Sequence, residues 1–240
     1  MQNEIKIENI LFLDIETVPQ QPEYNQLTEK AKEFWDKKAS SLTKESQTPE
    51  ELYGKAGIYA EFGRIICISV GIVIHREVGL GFRVKSFYGH DEKELLTNFA
   101  TMLTRFTAKS QTYLCAHNGK EFDFPYISRR MLINGVNLPK CLQTAGMKPW
   151  EVSFLDTLEL WKFGDYKHYT SLNLLAYIFD IPTPKDDIDG SQVADVYYNE
   201  QNLERIVTYC EKDVLTVAQL LLRYRNLPII EAANIEKAMD

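Results

Sequence analysis

The sequence has few cysteines, and none of them lies at a spacing typical of a metal or redox motif. The four cysteines are Cys67, Cys115, Cys141 and Cys210. No two of them form a Cys-x-x-Cys pair, and none lies beside a cluster of histidines. These absences exclude zinc-ribbon and thioredoxin-like proteins. Each cysteine lies in an apolar stretch, which is typical of a small buried side chain in a reducing compartment.

Long hydrophobic runs are also absent. The longest apolar stretches, such as residues 65–74, are too short to cross a bilayer. The first residues lack the charged segment followed by an apolar one that marks a signal peptide. We therefore expect a cytoplasmic protein with no membrane partner.

Basic residues are not in excess. The chain has 27 Lys and Arg against 34 Asp and Glu, a formal net charge of −7. This balance disfavours a protein that coats nucleic acid, but it allows a small group of carboxylates that holds cations. The length of 240 residues suits one α/β domain.

The hydrophobic pattern predicts one mixed sheet with helices on its faces. Residues 10–15 form a continuous apolar run with one acid, which indicates a strand buried on both faces. We expect Val18 and Pro19 to end its pairing, because proline has no amide donor. Further strands are predicted at residues 64–74, 81–88 and 112–116. Helices are predicted at residues 91–106, 124–133, 157–163, 171–179, 191–198 and 202–225.

Residues 20 to about 63 differ in character and are interpreted as an insertion. Leu27, Ala31, Phe34 and Trp35 recur there at helical spacing, among lysines and glutamates. The segment has too few apolar residues for a core of its own. We expect Phe34 and Trp35 to pack onto the domain rather than to form a platform for nucleic-acid bases.

Two acids lie at the end of the first predicted strand. Asp14 and Glu16 are two residues apart, so on a strand their side chains project to the same face. Two ionised carboxylates side by side repel one another unless a cation lies between them, and oxygen ligands favour Mg²⁺ or Mn²⁺. Taken alone, such a pair is more often two surface acids.

A second group of residues follows the strand predicted at residues 112–116. Asn118, Gly119, Phe122 and Asp123 occupy the loop that leads into the next helix. Taken alone, Asn118 is a turn residue and Asp123 is the N-cap of that helix. Asp156 begins the pattern of a capping box, and we expect it to cap a helix rather than to bind a ligand.

The long C-terminal helix carries the third group. Tyr209 and Asp213 are four residues apart and therefore lie on one face of the helix. Cys210 belongs to the apolar stripe that packs this helix onto the domain. Asp213 lies close to the same stripe, and a buried acid needs a partner or a metal.

In this order, the three groups resemble the motifs of the DEDDy 3′-5′ exonucleases, which share the ribonuclease H-like fold. The N-G-x-x-F-D-x-P-Y form of residues 118–126 is most similar to the proofreading domain of family B DNA polymerases. In the histidine subclass, a histidine lies five positions before the final aspartate. Thr208 holds that position here and Tyr209 lies four before Asp213, which matches the tyrosine subclass.

The resemblance extends over about residues 11–222, and the chain includes no polymerase module. It is similar to the stand-alone bacterial relatives of the proofreading domain. It implies an α/β, ribonuclease H-like fold, in which a mixed central β-sheet with the first strand at its centre is flanked by helices on both faces. Residues 1–240 would then be a single 3′-5′ exonuclease domain with an insertion at about residues 20–63.

The resemblance also implies a metal site. Asp14, Glu16 and Asp213 would hold one of two divalent cations, Mg²⁺ or Mn²⁺. Asp14 would also contact the second cation, and Asp123 would act on it through water. Four carboxylates against two divalent ions leave such a site near neutral before the substrate arrives.

Three further residues receive roles from the resemblance. Tyr209 would orient the attacking water, and Asn118 and Phe122 would contact the terminal nucleotide. Because an unperturbed tyrosine has a pKa near 10, Tyr209 suits hydrogen bonding better than proton abstraction at neutral pH, unless the metals depress that pKa.

The resulting expectation is a two-metal 3′-5′ exonuclease that hydrolyses single-stranded or frayed DNA 3′ ends to nucleoside 5′-monophosphates. Two alternatives stay open from the residues alone: a 3′-5′ exoribonuclease with the same site, and a non-catalytic nucleic-acid-binding module. The intact acids disfavour the module, since such a protein has no need for mutually repelling carboxylates. The sequence identifies no protein partner.

Overall fold

A computed structural model describes residues 5–42, 47–109, 111–165, 169–182 and 188–238. Within these residues the chain forms one six-stranded sheet with the order β5-β4-β1-β2-β3-β6, so the first strand is central, as predicted. The strands are β1 (Ile10–Pro19), β2 (Gly63–His75), β3 (Leu80–Tyr88), β4 (Tyr113–Ala116), β5 (Phe154–Asp156) and β6 (Ile235–Lys237).

The sheet is mixed, as the sequence predicts. β1, β2 and β3 form an antiparallel meander. β4 runs parallel to β1, β5 parallel to β4, and β6 parallel to β3. The carboxyl ends of β1, β4 and β5 therefore lie at the same edge of the sheet, where polar side chains of α/β proteins commonly meet.

The described part of the chain contains eight α-helices. They are α1 (Glu29–Ala39), α2 (Pro49–Leu52), α3 (Glu92–Thr107), α4 (Asp123–Ile133), α5 (Thr157–Lys162), α6 (Leu172–Ile178), α7 (Val193–Tyr198) and α8 (Leu203–Tyr224). Asp91 caps α3 by accepting a hydrogen bond from the Glu94 amide, and Asn202 caps α8 through the Arg205 amide.

Two apolar cores lie on opposite faces of the sheet. On one face, α3 and α4 cover Leu11, Leu13 and Ile15. On the other face, α8 covers Ile10 and Phe12. This arrangement confirms the predicted helices on both faces, and it follows from the period-two alternation of a strand buried on both sides.

The segment between β1 and β2 forms a small aromatic cluster, which the sequence interpretation did not anticipate. Trp35 is fully buried, and its ring lies edge-on to those of Tyr53 and Phe62. Phe34 is instead half exposed, so the two neighbouring aromatic residues differ in environment. The segment leaves and rejoins the sheet at one place, where the Gln20 amide donates to the Phe62 carbonyl over 2.9 Å.

β1 extends four residues beyond the apolar run of residues 10–15, and its pairing with β2 ends at Pro19, opposite Gly63, as predicted. β4 pairs with β1 only as far as Phe12. At Pro19, β1 therefore pairs with β2 alone, and the missing proline amide breaks no hydrogen bond to a strand on the other side. The two three-residue strands, β5 and β6, were not predicted. No helix among the described residues combines the length and apolar character needed to cross a bilayer.

Candidate active site

β1 directs two acids toward α8. Phe12 packs against α8 and Leu13 against α3 and α4, so the alternation of the strand turns Asp14 and Glu16 to the α8 side. Glu16 is buried and Asp14 is half buried. The two acids predicted to share a face therefore do so.

A β-bulge immediately follows Glu16. Glu16 pairs with Cys67 of β2 while Thr17 pairs with Ile65, so Ile66 is an extra residue on β2. Bulges bend a strand and re-aim its side chains, and they are common beside active sites. The strand thus changes direction directly after its two acids.

α8 brings a tyrosine and a third acid to the same pocket. Tyr209 and Asp213 are one turn apart on one face of the helix, and the charge of Asp213 acts on the Tyr209 hydroxyl. Cys210 lies between them in sequence and is buried, with its Sγ 3.5 Å from Oδ2 of Asp14. Atoms of Asp14, Glu16 and Cys210 lie within 4.8 Å of one another.

The fourth acid comes from the loop after β4. Because β4 runs parallel to β1 and last pairs at Phe12, the chain leaves the sheet at the level of Asp14. Gly119 allows this loop to turn tightly, since a Cβ there would lie 2.4 Å from the Cβ of Ala116. Asp123 is the first residue of α4 and not its N-cap, which is Phe122.

Asp156 holds the loop in place as well as capping α5. Its carboxylate accepts hydrogen bonds from the amides of Asn118 (2.9 Å), Lys120 (3.0 Å) and Leu158 (2.9 Å). The cap was predicted, whereas the contacts with the loop were not. Asn118 adopts a left-handed conformation with φ 62°, and the Phe122 ring lies 5.3 Å from that of Tyr126.

The electrostatics of the pocket reflect crowded acids. Burial, together with the charges of Asp123, Asp213 and Glu16, raises the pKa of Asp14. Burial and the charge of Asp213 raise the pKa of Glu16. Burial also raises the pKa of Asp123 to about 7. The four predicted acids therefore influence one another, although Asp123 and Asp213 are not within the 4.8 Å group.

These residues fit a divalent cation. Oδ1 of Asp123 is buried and accepts no hydrogen bond from the described residues. A buried carboxylate oxygen without a donor is costly unless a cation neutralises it. Carboxylate oxygens from several elements are the ligands that Mg²⁺ and Mn²⁺ prefer.

Two tyrosines lie near enough to the acids to be affected by their charges. Burial and the charges of Asp213, Glu16 and Asp14 raise the pKa of Tyr209. Tyr169, which precedes α6, was missed by sequence reasoning. Burial and the nearby carboxylates raise its pKa as well. Its ring lies 6.4 Å from that of His117. Tyr169 lies in no periodic pattern that could have predicted its position. Cys210 was assigned only to the packing face of its helix, although it is next to Tyr209 in sequence.

Among solved structures, the chain is similar to the family B DNA polymerase from the hyperthermophilic archaeon Pyrobaculum calidifontis, with a TM-score of 0.52 and 14% identity. The match covers 89% of this chain and 24% of the polymerase, so the chain spans about a quarter of that protein. At this identity the likeness is one of fold. The RNase domain of the yeast Pop2 protein is 12% identical with a TM-score of 0.39, over 88% of this chain and 78% of that domain, a likeness too low to carry an argument.

No curated protein matches the sequence. A family model described as "Predicted 3'-5' exonuclease related to the exonuclease domain of PolB" matches residues 58–233, well over half of the chain. The match includes Asn118, Phe122, Asp123 and the motif on α8, while the acids of β1 precede it. The chain therefore belongs to this family of predicted 3′-5′ exonucleases related to the exonuclease domain of PolB.

Proposed function

We propose that this chain is a metal-dependent 3′-5′ exonuclease that hydrolyses single-stranded or frayed DNA 3′ ends and releases nucleoside 5′-monophosphates. The observation that carries the proposal is the convergence of acids from β1, α4 and α8 on one pocket. Membership of the exonuclease family supports it. The single-domain organisation and the cytoplasmic location remain predictions.

The carboxylates would hold two divalent cations. Asp14, Glu16 and Asp213 would bind one, and Asp14 with Asp123 would bind the other. When bound, such a pair activates water and stabilises the leaving oxyanion of an in-line displacement. The acids lie on a strand and at helix positions fixed by packing, so they would bind cations with little rearrangement.

Tyr209 would orient the attacking water through its hydroxyl. Its raised pKa keeps the phenol protonated at neutral pH, so it suits hydrogen-bond donation and not proton abstraction. Asn118 and Phe122 lie in the loop that Asp156 holds, and they would contact the terminal nucleotide. Stacking of one base on an aromatic ring contributes about 1–3 kcal/mol.

We expect Tyr209→Phe to lower kcat by roughly 10- to 10³-fold, the range for one positioned hydrogen bond or proton-transfer group. Mn²⁺ affinity should stay unchanged, because the phenol is not among the proposed ligands. Single-turnover digestion of an oligonucleotide and calorimetric titration with Mn²⁺ measure the two quantities. Tyr224→Phe is a matched control, since Tyr224 lies on the same helix and its hydroxyl bonds to the Thr157 carbonyl. An unchanged rate for Tyr209→Phe would reduce the tyrosine to a packing residue.

The metal-free protein should lose stability as the pH rises. The folded pKa of Asp123 is about 7, above the value near 3.9 of an unfolded aspartate. The protonated form of Asp123 contributes to folding stability in full when the pH is below the pKa of the unfolded aspartate, and this contribution is lost as the pH rises through about 7. We expect the Tm in EDTA to fall by about 5 °C or more between pH 4 and pH 7.5 relative to Asp123→Asn, and Mn²⁺ to reverse the fall.

The comparison with Asp123→Asn separates this effect from other titrations. Burial lowers the pKa of His117. Its neutral form therefore stabilises the fold when the pH is above the pKa of an unfolded histidine, and this contribution is lost as the pH falls through the lowered pKa. That effect has the opposite sign and is common to both proteins. Parallel Tm curves for the two proteins would contradict the prediction.

The activity is tested with matched DNA and RNA oligonucleotides, each labelled at the 5′ end or the 3′ end. A 3′-5′ exonuclease releases the 3′ label at once as a mononucleotide and shortens the 5′-labelled strand into a ladder. We expect DNA to be degraded faster than RNA and a blunt duplex more slowly than a single strand, because its terminal base must first unstack.

Three outcomes contradict the proposal in different ways. Internal cuts, or loss of the 5′ label first, would show a different nuclease. Faster degradation of RNA would identify the exoribonuclease. Tight binding of the oligonucleotides without hydrolysis in Mg²⁺ or Mn²⁺ would identify a non-catalytic module.

A further inference from the structure

A thiol lies among the carboxylates of the proposed metal site. Sγ of Cys210 is 3.5 Å from Oδ2 of Asp14, and the ligand atoms of Asp14, Glu16 and Cys210 all lie within 4.8 Å of one another. A cation among these three side chains would meet sulfur as well as oxygen. Sulfur ligands favour a different class of cation from Mg²⁺.

Cys210 is accompanied by a second thiol. Cys67 is the direct partner of Glu16 across β1 and β2, so both side chains leave the sheet on the α8 side. Cys67 and Cys210 are fully buried and pack in one cluster with Val207. Two thiols therefore lie beside the two carboxylates of β1.

An unpaired buried oxygen next to this group indicates a cation independently. Oδ1 of Asp123 accepts no hydrogen bond from the described residues, although the side chain is buried. Among the neighbouring charges, that of Asp123 has the largest effect on Asp14. The uncompensated carboxylate thus acts on Asp14, whose Oδ2 lies 3.5 Å from the Cys210 sulfur.

We propose that Asp14, Glu16 and Cys210 form a site for a thiophilic divalent cation such as Zn²⁺ or Cd²⁺, with Cys67 as a second sulfur beside it. In a tetrahedral zinc site, Zn–S of about 2.3 Å and Zn–O of about 2.0 Å place the two ligand atoms about 3.5 Å apart. Sγ of Cys210 lies 3.5 Å from both the carbonyl oxygen and Oδ2 of Asp14, to which the thiol donates, so sulfur and carboxylate are already at the separation that one shared cation requires. On binding, the thiol releases its proton to solvent and the thiolate sulfur becomes a ligand.

This site would make the proposed nuclease sensitive to thiophilic cations. A Zn²⁺ held by Asp14 and Glu16 takes two of the ligands assigned to Mg²⁺, and it binds more tightly because Mg²⁺ gains nothing from the sulfur. Zn²⁺ added to the Mg²⁺-loaded enzyme should therefore inhibit it. Only this consequence for activity rests on the proposed function, whereas binding of the cation does not.

Binding is measured on the full chain without nucleic acid. Cd²⁺ is titrated by calorimetry and by the ultraviolet charge-transfer absorption of a Cd²⁺–thiolate bond. We expect the wild type to show this absorption, and Cys210→Ser to lose it together with at least about 10-fold in Cd²⁺ affinity, or about 1.4 kcal/mol. Cys141→Ser is the matched control, because Cys141 packs with the core on the α3 and α4 side, and it should keep the absorption.

The wild-type measurement needs no variant and keeps the test decisive if Cys210→Ser folds poorly. Absence of a thiolate absorption in wild-type protein saturated with Cd²⁺ would overturn the proposal. Equal Cd²⁺ affinity of a folded Cys210→Ser protein and the wild type would also overturn it. A nuclease assay without activity would contradict the proposed function and leave the binding result standing.

Discussion

Replacing Asp14 by alanine is expected to lower kcat by on the order of 10³-fold or more while the fold survives. Asp14 is the one acid proposed to contact both cations, and metal catalysis supplies several kcal/mol of transition-state stabilisation. Asp213→Ala should have an effect of the same size. Digestion of a 5′-labelled single strand in saturating Mg²⁺ or Mn²⁺ measures the loss.

The same variant should not be less stable without metal. Asp14 lies among acids whose charges raise its pKa, so removal of its carboxylate relieves repulsion in the metal-free protein. We expect a Tm in EDTA equal to or above that of the wild type, together with a lower calorimetric affinity for Mn²⁺. Glu204→Gln is the control, because Glu204 is exposed on α8 and bonds to Tyr88. Near wild-type rates for Asp14→Ala would contradict the assignment of the acids as metal ligands.

Breaking the buried ion pair between Glu92 and Arg130 should cost about 3–5 kcal/mol of folding stability. Glu92 accepts two bonds from the Arg130 guanidinium and a third from the Ile65 amide, at 2.7 Å. Arg130 also donates to the Ala60 carbonyl over 2.8 Å. The pair thus joins α3, α4, β2 and the end of the segment before β2, and Arg130→Met leaves the buried Glu92 carboxylate without its counter-ion.

Chemical denaturation and thermal melting measure this cost. A loss of 3–5 kcal/mol corresponds to a fall in Tm of about 6–20 °C for a chain of this size. Arg205→Met is the control, because the Arg205–Glu200 pair is partly exposed and should contribute less than about 1 kcal/mol. Glu92→Gln combined with Arg130→Met should recover part of the loss. Equal costs for the two single arginine variants would contradict the prediction.

The sequence predicts those parts of the pocket that depend on local periodicity. A strand with period two puts Asp14 and Glu16 on one face, and a helix puts Tyr209 beside Asp213. The parallel order of β1 and β4 then brings the loop of Asp123 to the same edge. These relations follow from residues close in sequence and one rule of sheet topology.

The remaining features depend on long-range register, which no local pattern encodes. Cys67 lies opposite Glu16 only because β1 and β2 pair in one register, which shifts at the bulge after Glu16. Tyr169 lies in an irregular segment, and its nearness to the acids depends on how that segment packs. β6 has three residues, too few for an alternating pattern, and its partner β3 is distant in sequence.

The closure of the segment between β1 and β2 bears on how the length of this chain can vary. Gln20 and Phe62 are joined by one backbone hydrogen bond next to the Pro19–Gly63 pair, so the whole segment is topologically the loop of a β-hairpin. The entropy of closing a loop grows only slowly with its length. The segment can therefore gain or lose residues over evolutionary time while Asp14 and Glu16 keep their places. A one-residue deletion within β1 itself, by contrast, would turn both acids away from α8.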